Sequence, residues 1–185
     1  YSVQRAPQRE GLRPYAVHAT YAFDGATASA KRQRLRDASL WLAEGRGYFE
    51  GRFLAVSHTG AEDAAARARA GAEAAGAGEA EARLVAHFEA AAAQLAAVRG
   101  ALALARALNR TLVLPRLLCL CDRAWGGQNN LLQSRCLYPG AEDVDYLPLE
   151  PCPPDHILDP SAWEAAGVPV REASFLDHPA APEGL

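Results

Sequence analysis

The feature that most constrains the fold is an apolar strand, then a long helix, and a second apolar strand directly after that helix. The two strand sequences are FLAVS at 53–57 and TLVLP at 111–115. Between them, over 83–109, apolar residues recur at steps of three and four, which predicts a helix with one face toward a core. That predicted face comprises Leu84, Phe88, Ala91, Leu95, Val98, Leu102 and Ala105. This order of elements is a βαβ unit, so the two strands are expected to be parallel.

The amino-terminal region predicts a strand, a glycine turn and a helix. Over 15–23 apolar and polar residues alternate, the period of a half-buried strand that presents His18 on its polar face. After an Asp-Gly turn, a helix is expected over about 27–44, capped by Thr27 or Ser29.

Other segments carry weaker patterns. Residues 60–82 are mostly Ala, Glu, Arg and Gly, and we interpret them as a low-complexity insertion, either a solvated helix or a loop, without chemistry. Closer to the carboxyl terminus, 146–149 and 168–175 predict further strands, with a short helix over 161–166 between them.

Length and charge limit the classes of function. With 185 residues, half of them hydrophobic, the chain is long enough for one domain with its own core. A net charge of −3 excludes nucleic-acid binding by overall electrostatics, so any basic site must be local. No run of about 18 uncharged apolar residues is present, and Arg99 and Arg106 interrupt the long helix. We therefore expect no membrane span.

The cysteines lie together in a region rich in Pro and Gly, at Cys119, Cys121, Cys136 and Cys152. They lack the paired spacing typical of a zinc site. Two disulfides in an oxidising compartment are therefore favoured over free thiols. The sequon that begins at Asn109 fits a secretory protein, although Asn is also common where a helix ends.

The candidate binding residues follow the first predicted strand. Gly25 lets the backbone approach a ligand closely, and the helix start supplies free N–H groups beside Lys31, Arg32 and Arg34. Such a segment is suited to a diphosphate, and the neutral imidazole of His18 suits Mn²⁺ or Mg²⁺ bridging the phosphates. The alternative interpretation is a solvated basic helix face and a structural histidine.

A second candidate location is the carboxyl edge of the predicted parallel sheet. Ligands of open α/β sheets bind at that edge, here near Ser57, His58 and 115–118. Tryptophan rings can stack on sugars but are more often buried; the chain has Trp41, Trp125 and Trp163.

Six blocks of sequence, in order, resemble plant and green-algal Golgi arabinosyltransferases, which extend arabinose chains on hydroxyproline-rich wall glycoproteins. They are distributed along most of the chain outside the alanine-rich insertion. They are PYAVHATY at 14–21, KRQRLRDA at 31–38, ALALARALNRTLVLP at 101–115, LCDRAW at 120–125, PCPPDH at 151–156 and REASFLDHP at 171–179.

The resemblance implies a nucleotide-diphospho-sugar transferase that takes UDP-arabinofuranose or a similar UDP-sugar, uses a divalent metal (Mn or Mg), and retains the anomeric configuration. It also implies a hydroxyproline-rich glycoprotein acceptor and the Golgi lumen, with a type II membrane anchor outside this chain. In such transferases an Asp-x-Asp motif holds the metal, and a later histidine, glycine and lysine complete the site. His18, Gly25 and Lys31 would be that later set, and no catalytic residue is assigned.

The Asp-x-Asp motif is expected upstream of His18, where only 17 residues precede it. Asp143 and Asp145 match the pattern but lie downstream. We therefore expect a carboxyl-terminal portion of the enzyme, in which 1–52 is the edge of the donor-binding domain and 53–185 a following α/β region. The expected fold is α/β, nucleotide-diphospho-sugar-transferase-like and partial, with a βαβ unit and a loop-rich, disulfide-stapled end. Such a chain alone is not expected to transfer sugar.

Two other functions fit the same sequence. The chain could be a noncatalytic module that binds the acceptor or a partner transferase. It could also be a structural helical domain, as the alanine-rich stripe suggests.

Overall fold

The computed structural model describes residues 11, 13–19, 27–119 and 150–182. Three strands form a parallel sheet in the order β1, β2, β5; they are β1 (Phe53–Ala55), β2 (Thr111–Val113) and β5 (Val170–Arg171). In the sheet register, Phe53 lies opposite Thr111 and Leu112 opposite Val170. A separate antiparallel pair joins β3 (Leu117–Cys119) to β4 (Glu150–Cys152).

Within the described ranges, four α-helices accompany these strands. They are α1 (Ala28–Asp37), α2 (Ala61–Ala74), α3 (Glu79–Ala107) and α4 (Pro160–Ala165). Short 3₁₀ helices span Arg46–Tyr48, Pro154–His156 and Ala173–Asp177. The predicted βαβ unit is confirmed, because β1 and β2 are parallel and α3 lies between them in the chain.

The buried face of α3 overlaps the predicted one only in part, at Val98 and Ala105. Phe88 and Leu95 are 54% and 45% exposed, although the periodicity placed them toward the core. The side chains that are buried follow a neighbouring stripe of mostly small residues, Ala82, Ala86, Ala90, Gln94, Val98, Ala101 and Ala105. The prediction failed at Phe88 and Leu95 because it weighted large apolar side chains, whereas small ones allow the closest approach of two elements.

One half of α3 packs against α2, and the other half packs against the sheet. Ala61 and Ala65 of α2 are buried against Ala86 and Ala90 of α3. The other half of α3 contributes Val98, Ala101 and Ala105 to the main hydrophobic core, beside Leu112 of β2. The alanine-rich segment 60–82 is therefore helical over most of its length, and its buried face makes it more than a solvated insertion.

The amino-terminal prediction holds only in part. Residues 15–19 contain no strand, Tyr15 is fully exposed, and the rest of the predicted strand lies outside the described residues. Thr27 caps α1 as predicted, because its hydroxyl accepts from the backbone N–H of Ala30 at 3.1 Å. The helix ends at Asp37 and not near 44, because Ser39 adopts a left-handed conformation with φ of 57°.

The carboxyl-terminal predictions have mixed outcomes. The short helix over 161–166 is confirmed as α4. The strand predicted over 168–175 is limited to β5, since a 3₁₀ helix begins at Ala173. The strand predicted over 146–149 lies outside the described residues.

Contacts cross the predicted boundary between 1–52 and 53–185. The ring of Phe175 lies 5.6 Å from that of Tyr48. Helix α1 also packs against α4 and against the 3₁₀ helix at Ala173–Asp177. The division into two domains stays a prediction.

Two sequence expectations concern the lumenal compartment and the membrane. Cys152 is disulfide-bonded, and the pairing of all four cysteines stays a prediction because Cys121 and Cys136 lie outside the described residues. We expected the charges of the long helix to exclude a membrane span. By length and composition alone, however, Glu81–Ala107 is apolar enough to cross a membrane. Core helices of soluble proteins pass the same test, which makes a single such helix weak evidence.

Candidate functional site

The predicted binding residues that the structure describes lie in an irregular segment and on one helix. His18 lies in the irregular segment 13–19, and Gly25 lies outside the described residues. Lys31, Arg32 and Arg34 all lie on α1, but successive helical residues point in different directions. The structure therefore distributes the predicted cations around the helix.

Arg34 points into the protein. Its side chain is 3% exposed, and its Nε and Nη2 donate to Oδ2 of Asp155 at 3.0 and 2.9 Å. The Asp155 side chain is 1% exposed. This ion pair joins α1 to the 3₁₀ helix at Pro154–His156 and gives Arg34 a structural partner.

Arg32 lies at the surface beside a cavity. Its Nη2 donates to Oε1 of Glu164 at 2.6 Å and to the hydroxyl of Ser29 at 3.3 Å. Helix α4 carries Glu164. The ion pair therefore spans from α1 to α4 at the rim of the space between them.

That space is a cavity of about 290 Å³ between α1, α4 and the segment that leads into β5. Helix α1 contributes Ser29, Gln33 and Arg36 to its walls. Helix α4 contributes Ser161 and Glu164, and the remaining wall consists of residues 167–172. The lining combines hydrogen-bonding side chains with apolar ones, so the cavity is suited to a ligand that has both polar and apolar surfaces.

Gln33 is the unusual member of the lining. Its side chain is only 9% exposed, yet neither its amide nitrogen nor its amide oxygen has a hydrogen-bond partner among the described residues. Buried polar groups in proteins are nearly always paired, because an unmade hydrogen bond leaves the desolvation cost uncompensated. The amide of Gln33 thus offers a donor and an acceptor to whatever enters the cavity.

The charged groups at the base of the cavity are already paired with one another. The hydroxyl of Tyr48 donates to Glu172, and Arg36 donates to Glu44 while lying 4.0 Å from Glu172. The guanidinium of Arg171 lies 4.2 Å from the centre of the Tyr48 ring, and its Nε donates to the Tyr48 carbonyl at 2.8 Å.

Burial shifts the titration of this cluster. It raises the pKa of Glu172 above its usual value, although the Tyr48 hydroxyl and Arg36 oppose the shift. Burial also raises the pKa of Tyr48, and the Glu172 carboxylate adds to that effect. The pKa of Arg171 is lowered, mainly because burial disfavours its charge.

The carboxyl edge of the parallel sheet was the other predicted location. Glu172 follows β5 directly and lies at that edge, whereas Ser57 and His58 follow β1 and are exposed there. The sequence analysis missed Gln33, Tyr48 and Glu172. Gln33 was visible only as the uncharged residue within the basic KRQR run, and no local pattern marked Tyr48 or Glu172.

The residues that the structure describes do not form a divalent metal site. No group of three or more His, Cys, Asp and Glu side chains is close enough together in those ranges to hold an ion. Asp143 and Asp145 lie outside them. The assignment of His18 to a metal stays a prediction.

Comparison with known proteins identifies a plant relative. The chain is 30% identical to Arabinosyltransferase XEG113 of Arabidopsis thaliana over 99% of its own length. It spans about a quarter of that relative, 26% of its length. No model of a protein family matches the chain, and no solved structure does. The resemblance noted in the sequence is confirmed as a similarity: nearly the whole chain is related in sequence to one part of a plant arabinosyltransferase.

Proposed function

We propose that this chain is part of a glycosyltransferase that transfers arabinose from a UDP-sugar to an arabinosylated hydroxyproline-rich glycoprotein. The observation that carries the proposal is the 30% identity, which extends over 99% of the chain and is not confined to one motif. A Golgi location, a nucleotide-diphospho-sugar-transferase fold and dependence on Mn²⁺ or Mg²⁺ belong to the same proposal.

The groups on this chain act in binding and positioning. Gln33 presents a donor and an acceptor inside a cavity, and the Arg34–Asp155 pair fixes the helix that carries it. A transferase needs its acceptor held in one orientation, because a fixed geometry lowers the entropic part of the barrier. A bound divalent metal would supply charge stabilisation for the departing UDP.

A second candidate function is a noncatalytic module that binds the acceptor or a partner transferase. The observation that favours it is the composition of the cavity, whose lining offers hydrogen-bonding groups without a grouped set of metal ligands among the described residues. In this case, the bond-making groups would lie in other parts of a larger enzyme.

A chimaera of the two proteins tests the first candidate. The matching quarter of the Arabidopsis relative is replaced by this chain, and transfer of arabinose from UDP-arabinofuranose to an arabinosylated peptide is measured with Mn²⁺ present. We expect the chimaera to transfer arabinose and a version that lacks the segment to be inactive. A folded, inactive chimaera beside an active parent would contradict the proposal.

The same assay separates the second candidate. Here the 185-residue chain is measured alone, and separately for binding to UDP and to the arabinosylated peptide. Peptide binding without UDP binding supports the noncatalytic module, whereas Mn²⁺-dependent binding of UDP supports a direct contribution to the donor site.

A further inference from the structure

We propose that the cavity around Gln33 is a binding site for one neutral, hydroxyl-rich sugar unit, which the amide of Gln33 recognises directly. The preference for a sugar over other neutral hydroxyl-bearing ligands rests on the proposed function. The cavity, the unpartnered amide and the charge balance of the lining are features of the structure itself.

The unpartnered amide is the first argument. The side chain of Gln33 is 91% shielded from solvent. Its amide nitrogen and oxygen make no hydrogen bond to any residue that the structure describes. A buried amide with no partner destabilises the free protein unless a ligand or water satisfies it. A pair of neighbouring hydroxyl groups matches it, since one can accept from the nitrogen and the other can donate to the oxygen.

Charge balance is the second argument, and it excludes a phosphate as the favoured ligand. The cavity lining includes two cations, Arg36 and Arg171, and two carboxylates, Glu164 and Glu172. The carboxylates already face arginines, since Glu164 pairs with Arg32 and Glu172 lies near Arg36. No surplus of positive charge is left for a diphosphate, so a neutral ligand fits best.

Size and shape are the third argument. A volume of about 290 Å³ lies at the lower end of the range for small-molecule sites, which suits one ring and not a nucleotide sugar. The wall opposite α1 contains Pro160, Val168 and Pro169. These apolar side chains can pack against the C–H groups of a sugar while the polar side of the ring faces Gln33.

A nuclear magnetic resonance titration of the ¹⁵N-labelled 185-residue chain tests the site. L-arabinose is added, and the side-chain amide signal of Gln33 is followed together with the backbone amide of Ser161. We expect saturable shifts of both signals. The side-chain amide of Gln94 is an internal reference that should not move, because it is fully bonded to Leu118 elsewhere in the fold.

Gln33→Met keeps the length of the side chain and removes the amide. It should weaken binding at least tenfold while leaving the circular dichroism spectrum unchanged. If this variant fails to fold, Ser161→Leu provides the same test, because a larger side chain at this lining position occupies part of the cavity. Unchanged binding in a folded variant would overturn the proposal.

Two further probes decide the ligand class. UDP and D-galacturonate are titrated under the same conditions, and stronger shifts of the Gln33 amide with either anion than with L-arabinose would overturn a neutral site. No saturable shift with L-arabinose would also overturn it. If the chimaera is active but L-arabinose causes no shifts, the sugar site is contradicted and the proposed transferase function is not. If L-arabinose causes the shifts but the chimaera is inactive, the sugar site is supported and only the proposed transferase function is contradicted.

Discussion

Two buried glutamines, Gln33 on α1 and Gln94 on α3, occupy opposite situations. Gln94 is fully buried, and both polar atoms of its amide are bonded: Nε2 donates to the Leu118 carbonyl at 2.8 Å, and Oε1 accepts from the Leu118 N–H at 2.6 Å. Gln33 is nearly as buried, yet its amide bonds to nothing among the described residues. The same side chain therefore holds the fold together in one region and faces an empty space in the other.

The surroundings explain the difference. Around Gln94, small side chains let α3 approach the neighbouring elements closely, so the amide reaches a strand backbone. Around Gln33, buried charges fix α1 against residues 150–172, which leaves a gap lined with polar groups. Where elements pack closely, a buried amide finds a partner within the protein. Where ion pairs hold two elements apart, a buried amide can stay available for a ligand.

The largest effect is expected from Arg34→Ala, which removes one partner of the buried ion pair. Asp155 would keep a buried charge without its main counter-ion, so we expect the free energy of unfolding to fall by about 3–5 kcal/mol. Urea unfolding followed by circular dichroism measures it. Because the pair fixes α1, the variant should also lose the signals of sugar binding at Gln33.

A matched control uses an ion pair of the same kind at the surface. Arg69 and Glu73 lie four residues apart on α2, with side chains 34% and 49% exposed. Arg69→Ala should change the free energy of unfolding by less than about 0.5 kcal/mol. Equal losses in the two variants would show that the Arg34 pair does not hold the cavity region together.

An intermediate effect is expected from Ala90→Leu in the close-packed region. Ala90 is 2% exposed within the contact between α2 and α3, so three added carbons have no space. We expect a loss of about 1–3 kcal/mol in the free energy of unfolding. Ala96→Leu, on the exposed side of the same helix, should have almost no effect. If both substitutions are harmless, the two helices do not pack as closely as described.

The smallest effect concerns pH. Burial raises the pKa of Glu172 above its usual value of 4.5 in the folded chain, so the folded state binds the proton more tightly than the unfolded chain does. The contribution of Glu172 to stability is therefore fully present below pH 4.5 and is lost as the pH rises through the higher pKa of the folded state. Glu172→Gln keeps an acceptor for the Tyr48 hydroxyl.

Melting temperatures measured from pH 4.5 upward in the native protein and in Glu172→Gln isolate this contribution. The native protein should lose stability with rising pH relative to the variant. A native protein that gains stability over the same interval, relative to Glu172→Gln, would show that the neighbouring Arg36 outweighs burial.

The close-packed region was partly predictable from the sequence, and the cavity was not. Apolar strands flanking a long helix were enough to predict the βαβ unit. Its buried stripe was missed because Ala86 and Ala90 give no signal that separates a tight contact from a solvated surface. Alanine occurs often in both settings.

The candidate site depends on residues far apart in the chain. Arg34 meets Asp155 across 121 positions, and Tyr48 meets Glu172 across 124. Hydrophobic periodicity is a local signal and does not report such contacts. The basic run at 31–36 was therefore interpreted as a diphosphate site, although the structure directs its arginines toward carboxylates and its glutamine toward a cavity.

The most direct measurement is the free energy of unfolding of Gln33→Met and Gln94→Met, determined by urea titration without ligand under identical conditions. Gln94→Met removes two hydrogen bonds and leaves the backbone of Leu118 without them, so it should lose roughly 2 kcal/mol. Gln33→Met removes a buried amide that has no partner, so it should gain about 1 kcal/mol. A loss of similar size in both variants would contradict the account, because it would mean that Gln33 is also a structural residue.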